Sequence, residues 1–167
     1  TRENHDITEW ESATGVVSAT QAVNMLSPVF EDEIHISGLP TLHLDVNTRG
    51  CNGGQIFATL WDETIGLRLG HAVMDLRYRD GGYDANPVSP LGSYTMLMEF
   101  NPIDVVLPAG HSLGIELTDT GEDYLPSTCA LAGLSVQGGD FSMPLIERGE
   151  DHEGWFEVAV YNASAGE

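Results

Sequence analysis

The chain has 167 residues, a length that fits one domain. Its hydrophobic fraction of 41 % supports a core and excludes a disordered polyelectrolyte. Twenty-six Asp and Glu face six basic residues, for a formal net charge of −20 at pH 7, and all six are arginines (Arg2, Arg49, Arg68, Arg77, Arg79, Arg148).

A charge of that sign excludes nucleic acid and anionic membranes as partners, because both are held by Lys/Arg patches. Arg77-Tyr78-Arg79 comes nearest to one and is flanked by Asp75 and Asp80. The acids run from Glu3 to Glu167 and lysine is absent. Self-repulsion of a carboxylate coat is relieved by salt, so the composition implies a halophilic protein whose surface is neutralised by solvent cations. A salt-rich cytoplasm and secretion into brine satisfy it equally, as do a monomer and a homo-oligomer. No apolar run reaches membrane-spanning length, and the polar start Thr1–Glu11 carries no signal-peptide pattern, so the chain reads as a processed or excised piece.

In chain order, residues 14–25 hold the one stretch ambiguous between a short helix and an irregular strand. From there period-two alternation dominates. Over 41–47, Leu42, Leu44 and Val46 face one way and Thr41, His43, Asp45 and Asn47 the other. Over 55–61, Ile56, Ala58 and Leu60 oppose Phe57, Thr59 and Trp61. Strands are also expected over 66–79 and 94–100. Over 112–118, Leu113, Ile115 and Leu117 oppose Ser112, Gly114, Glu116 and Thr118. Further strands are expected over 131–136, 140–146 and 155–161. Gly, Pro and Asn clusters separate them at 49–54, 80–82, 86–87, 108–110 and 138–140. Many short strands without intervening helices predict an all-β sandwich or jelly roll, with residues 1–25 as a lead-in and 26–167 as the domain proper.

Four patterns invite chemistry. Gly110-His111-Ser112-Leu113-Gly114 spells the GxSxG of a nucleophile elbow, which needs a strand–turn–helix context. Here strand alternation follows, and the only downstream histidine, His152, sits in an acidic loop, so no catalytic residue is assigned. Three acidic clusters (Glu31-Asp32-Glu33; Asp119, Glu122, Asp123; Glu150, Asp151, Glu153) offer carboxylate oxygens to calcium, and 119–123 is the best placed. None has EF-hand spacing, and no metal or cofactor is expected. Trp61 and Trp155 on non-core strand faces are candidates for a binding surface. Cys51 and Cys129 read as two buried free thiols in preference to one bridge.

The stretch 26–44 (LSPVFEDEIHISGLPTLHL) resembles the opening of the C-terminal domain of Xaa-Pro dipeptidyl-peptidase and cocaine-esterase-like serine hydrolases. Phe57-Ala58-Thr59-Leu60-Trp61-Asp62, Leu107-Pro108-Ala109-Gly110-His111-Ser112-Leu113 and Asp140–Ile146 are similar to later motifs of that domain, in the same order. The resemblance implies a galactose-binding-like jelly roll, without catalytic residues of its own. It also implies a partner, the α/β-hydrolase domain that holds the Ser-Asp-His triad and against which the sandwich packs to help wall the active site. A free-standing carbohydrate- or calcium-binding module is the competing expectation.

Overall fold

The computed structural model describes residues 1–7, 10–11, 14–121 and 124–146. Within them the chain forms eleven strands: β1 (Arg2–Asp6), β2 (Gly15–Val17), β3 (Val23–Leu26), β4 (Ile34–Gly38), β5 (Thr41–Thr48), β6 (Gln55–Asp62), β7 (Leu67–Asp75), β8 (Ser93–Glu99), β9 (Ile103–Leu107), β10 (Leu113–Thr118) and β11 (Leu134–Pro144). The ambiguous stretch 14–25 resolves as β2, a turn and the start of β3. The strand expected over 155–161 lies outside the described residues.

All pairings are antiparallel. One sheet runs β1-β11-β5-β8, with β2 also paired to β11; a second runs β3-β10-β6-β7. A ribbon of β4 and β9 completes the set, tied to the end of β11 through an Ile36–Leu145 bridge. The alternation read from the sequence turns Leu42, Leu44 and Val46 of β5, Met96 and Met98 of β8, and Phe141 and Met143 of β11 inward. They meet Ile56, Ala58 and Leu60 of β6 and Leu113, Ile115 and Leu117 of β10 in one continuous core. The architecture is an antiparallel β-sandwich.

Where the sequence suggests two closing strands around a Gly-Gly turn, there is one strand, β11, with a register shift between Val136 and Gly138. The glycines bend the ladder without ending it. Gly139 sits at φ 152°, and a Cβ there would come within 1.9 Å of the His43 carbonyl oxygen, so only glycine lets β11 lie this close to β5.

The two cysteines form a disulfide, contrary to the expected free thiols, with Cα atoms 5.9 Å apart across 78 residues of sequence. The ladder explains it: Thr48, at the end of β5, pairs with Leu134, at the start of β11. The loop leaving β5 and the loop entering β11 therefore lie side by side. That juxtaposition is a property of the pairing, invisible in the spacing of two isolated cysteines.

Candidate functional site

Three regions carry the residues that the sequence singles out. The first is Gly110–Gly114. Ser112 is buried and β10 begins at Leu113, so the serine lies in extended chain with no elbow. Its N–H donates to Thr64 Oγ1 at 3.0 Å, and the next N–H, Leu113, donates to Ser27 Oγ at 2.9 Å. The backbone donors that an oxyanion would need beside this serine are already spent. The neighbouring imidazole is committed as well, because His111 Nδ1 pairs at 2.7 Å with Asp62 Oδ2 of an almost fully buried carboxylate. Asp62 Oδ1 also accepts from the Thr64 N–H at 3.2 Å. A sequence that looks like a nucleophile motif is a brace that joins the β6–β7 turn to the start of β10. His152 lies outside the described residues.

The second region is the end of the sandwich where β5, β7 and β10 finish. Asp119, the calcium candidate, is buried, and its carboxylate accepts from the Ser127 N–H at 3.2 Å and the Ser127 hydroxyl at 3.0 Å. Its oxygens brace the loop 119–133. Glu122, Asp123 and the cluster 150–153 lie outside the described residues. Among the described residues no group of three or more His, Cys, Asp or Glu gathers in metal-ligating geometry.

Neighbouring loops are knitted to this one. Cys51–Cys129 joins 49–54 to 119–133, and the Ala19 N–H donates to the Ala130 carbonyl. Thr48 Oγ1 donates to the carbonyls of Ser89 and Gly92. Arg77 lies against Asp75, whose hydrogen bond and charge hold the guanidinium pKa above its ordinary value. Arg79 covers the Tyr94 ring at 4.7 Å. Out of this framework project Tyr83, Leu91, Leu125 and Leu131, each at least 84 % exposed.

The third region is the outer face of the β3-β10-β6-β7 sheet, where Trp61 stands. Register lines up Arg68, Trp61, Gly114 and Leu26 in one cross-strand row, and His71, Thr59, Glu116 and Asn24 in the next. The sequence marks Phe57, Thr59 and Trp61 as one non-core face, yet Phe57 and Thr59 are buried. Phe57 is covered by Tyr124, with ring centroids 5.4 Å apart, by stacked His71 at 5.6 Å and by Arg68 at 5.8 Å. Trp61 remains half-buried on a groove of about 540 Å³ that is also lined by Glu11, Asn24, Glu63 and Glu116. At Gly114 a Cβ would meet Glu63 Oε2 at 2.5 Å, so the Glu63 side chain lies over that position. Trp155 lies outside the described residues.

Comparisons with known proteins place this geometry. The fold is similar to that of an aminopeptidase from a marine sediment archaeon, Thaumarchaeota archaeon (TM-score 0.64, 11% identity, covering 88% of this chain and 33% of that one). It is similar also to an alpha-amino acid ester hydrolase (TM-score 0.62, 12% identity, 87% and 32% covered) and to a CocE/NonD family hydrolase from Staphylococcus aureus (TM-score 0.54, 13% identity, 86% and 30% covered). The chain thus spans about one third of the length of these structures. Among curated proteins no sequence matches it. A sequence profile of the X-Pro dipeptidyl-peptidase C-terminal non-catalytic domain matches residues 3–152, and the chain, which is not catalytic by itself, belongs to that family.

Proposed function

We propose that this chain is the accessory sandwich of a larger serine hydrolase acting on peptides or esters, and that it packs against the α/β-hydrolase domain and helps to wall its active site. The observation that carries this reading is the non-catalytic family match over residues 3–152 of a chain that spans only a third of the hydrolases it resembles. The docking face is the disulfide-tied end. The four most exposed large apolar side chains described, Tyr83, Leu91, Leu125 and Leu131, all stand on its loops. Apolar side chains gathered on a braced framework suit burial against a partner, since a rigid surface loses little entropy on docking.

The test is to express the longer protein carrying this domain, with and without residues 1–167, and to assay aminoacyl-ester and dipeptide-amide hydrolysis. Activity that persists in the isolated domain, or is untouched by its removal, would end the reading.

The working medium is concentrated salt. Asp62 and Asp119 are buried, whereas acids such as Glu31, Asp32, Glu63, Asp80, Asp84 and Glu99 stand exposed and repel one another. Raising ionic strength from 0.1 to 1 M shortens the screening length from about 10 to about 3 Å. Folding followed by circular dichroism therefore rises steeply between about 0.1 and 2 M KCl, the range over which that repulsion is screened. Full folding at low salt would contradict the salt adaptation while leaving the domain assignment intact.

A further inference from the structure

We propose that the outer face of the β3-β10-β6-β7 sheet is a binding groove for a neutral carbohydrate, centred on Trp61. The inference starts from a side chain with no hydrogen-bond partner among the described residues. Thr59 is 5% exposed, points from β6 to the same face as Trp61, and lines the cavity between Trp61 and Arg68. Among the described residues no hydrogen bond reaches its hydroxyl. A hydroxyl with no partner among them that opens onto a cavity is free for a ligand atom.

What surrounds it sets the chemistry of that ligand. Two cavities, of about 540 and about 280 Å³, share Trp61 and Glu116 as walls and so adjoin along the sheet. The larger is within the range of small-ligand sites. Trp61 supplies a half-buried aromatic ring against which the C–H face of a sugar stacks. Beside it Arg68 donates, Glu116 and Glu63 accept, Thr118, whose hydroxyl proton goes to the Thr120 carbonyl, can only accept, and Asn24 and Thr59 do both. A ligand that satisfies donors and acceptors on the same few ångströms of sheet must itself carry groups of both kinds, as sugar hydroxyls do. Anions are disfavoured by Glu11, Glu63 and Glu116. Arg68, directly across from Trp61, offsets only one of these three carboxylates, so an organic cation is the competing occupant.

Calorimetric titration of the 167-residue chain, in salt at which circular dichroism reports it folded, uses maltotriose, cellotriose and N-acetylchitotriose as probes, with n-butylguanidinium as the charged control. The expected result is saturable binding of at least one trisaccharide. That binding is lost in Trp61→Ala, retained in part in Trp61→Phe, and weakened about tenfold in the near-isosteric Thr59→Val, where one hydrogen bond goes. His43→Ala, on the outer face of the other sheet, changes nothing. Failure of all three sugars with the folded chain, equal affinity in parent and Thr59→Val, or a response to n-butylguanidinium alone would each overturn the proposal.

Discussion

The two ends of the sandwich are secured by different chemistry. At the end where β6 turns into β7 and β10 begins, the chain connects through short turns, and hydrogen bonds do the fastening. Asp62 takes His111 and the Thr64 N–H, while Ser27 exchanges bonds with Leu113. At the opposite end the connections are long, and a covalent bond joins two of them. The first end carries the residues that look catalytic and uses them as braces. The second carries the acidic stretch that looks metal-binding, uses Asp119 as a brace, and presents the four most exposed apolar side chains. Suggestive motifs thus serve as braces at both ends, and the most exposed apolar side chains, at the second, favour it as the proposed docking end.

The largest expected effect separates the ends most sharply. Breaking Cys51–Cys129, by reduction or by Cys51→Ser with Cys129→Ser, frees a loop of 78 residues and costs about 4.5 kcal/mol on the chain-entropy estimate. Denaturant unfolding with and without reductant measures it, and coincident curves would remove the distinction between the ends. Next comes the hydrogen-bonded end. Asp62→Ala strands the buried side of His111 and the Thr64 N–H, for a loss of about 2–3 kcal/mol, read as a shift in midpoint at constant slope. Asp119→Ala sharpens the contrast, because its cost grows when the disulfide is absent and the Asp119–Ser127 brace alone holds the loop. A double-mutant cycle reads that coupling, and strict additivity would refute it. The smallest effect on the isolated chain is that of Leu125→Ser with Leu131→Ser, within about 0.5 kcal/mol for exposed positions. The same pair weakens association with the hydrolase domain, and a large loss of stability in the isolated chain would show that these side chains serve the fold and not a partner.

Most of the sandwich was legible because period-two alternation is a local signal. Leu42, Leu44 and Val46 declare their inward face from neighbours two residues away, and the extended chain after Gly110 follows from Ile115 and Leu117 in the same way. What escaped depends on pairing between distant strands. Gly138-Gly139 looks like a turn until β5 is placed beside β11, and Cys51 and Cys129 look solitary until Thr48 meets Leu134. Thr59 was visible only as one member of the non-core face it shares with Phe57 and Trp61. It pairs with His71 of β7 and Glu116 of β10, neither of which is near it in sequence. Trp61 could be nominated from the sequence; Arg68, Glu116 and Thr59 could not, since their adjacency is created by the sheet.

The central claim is that the disulfide-tied end docks on a hydrolase domain, and amide hydrogen exchange compares it directly in the longer protein and in the isolated chain. The account predicts slower exchange in the longer protein over 76–92 and 119–133, with the 108–112 turn little changed. Equal exchange over those two loops, with protection instead around His111 and Ser112, would contradict it.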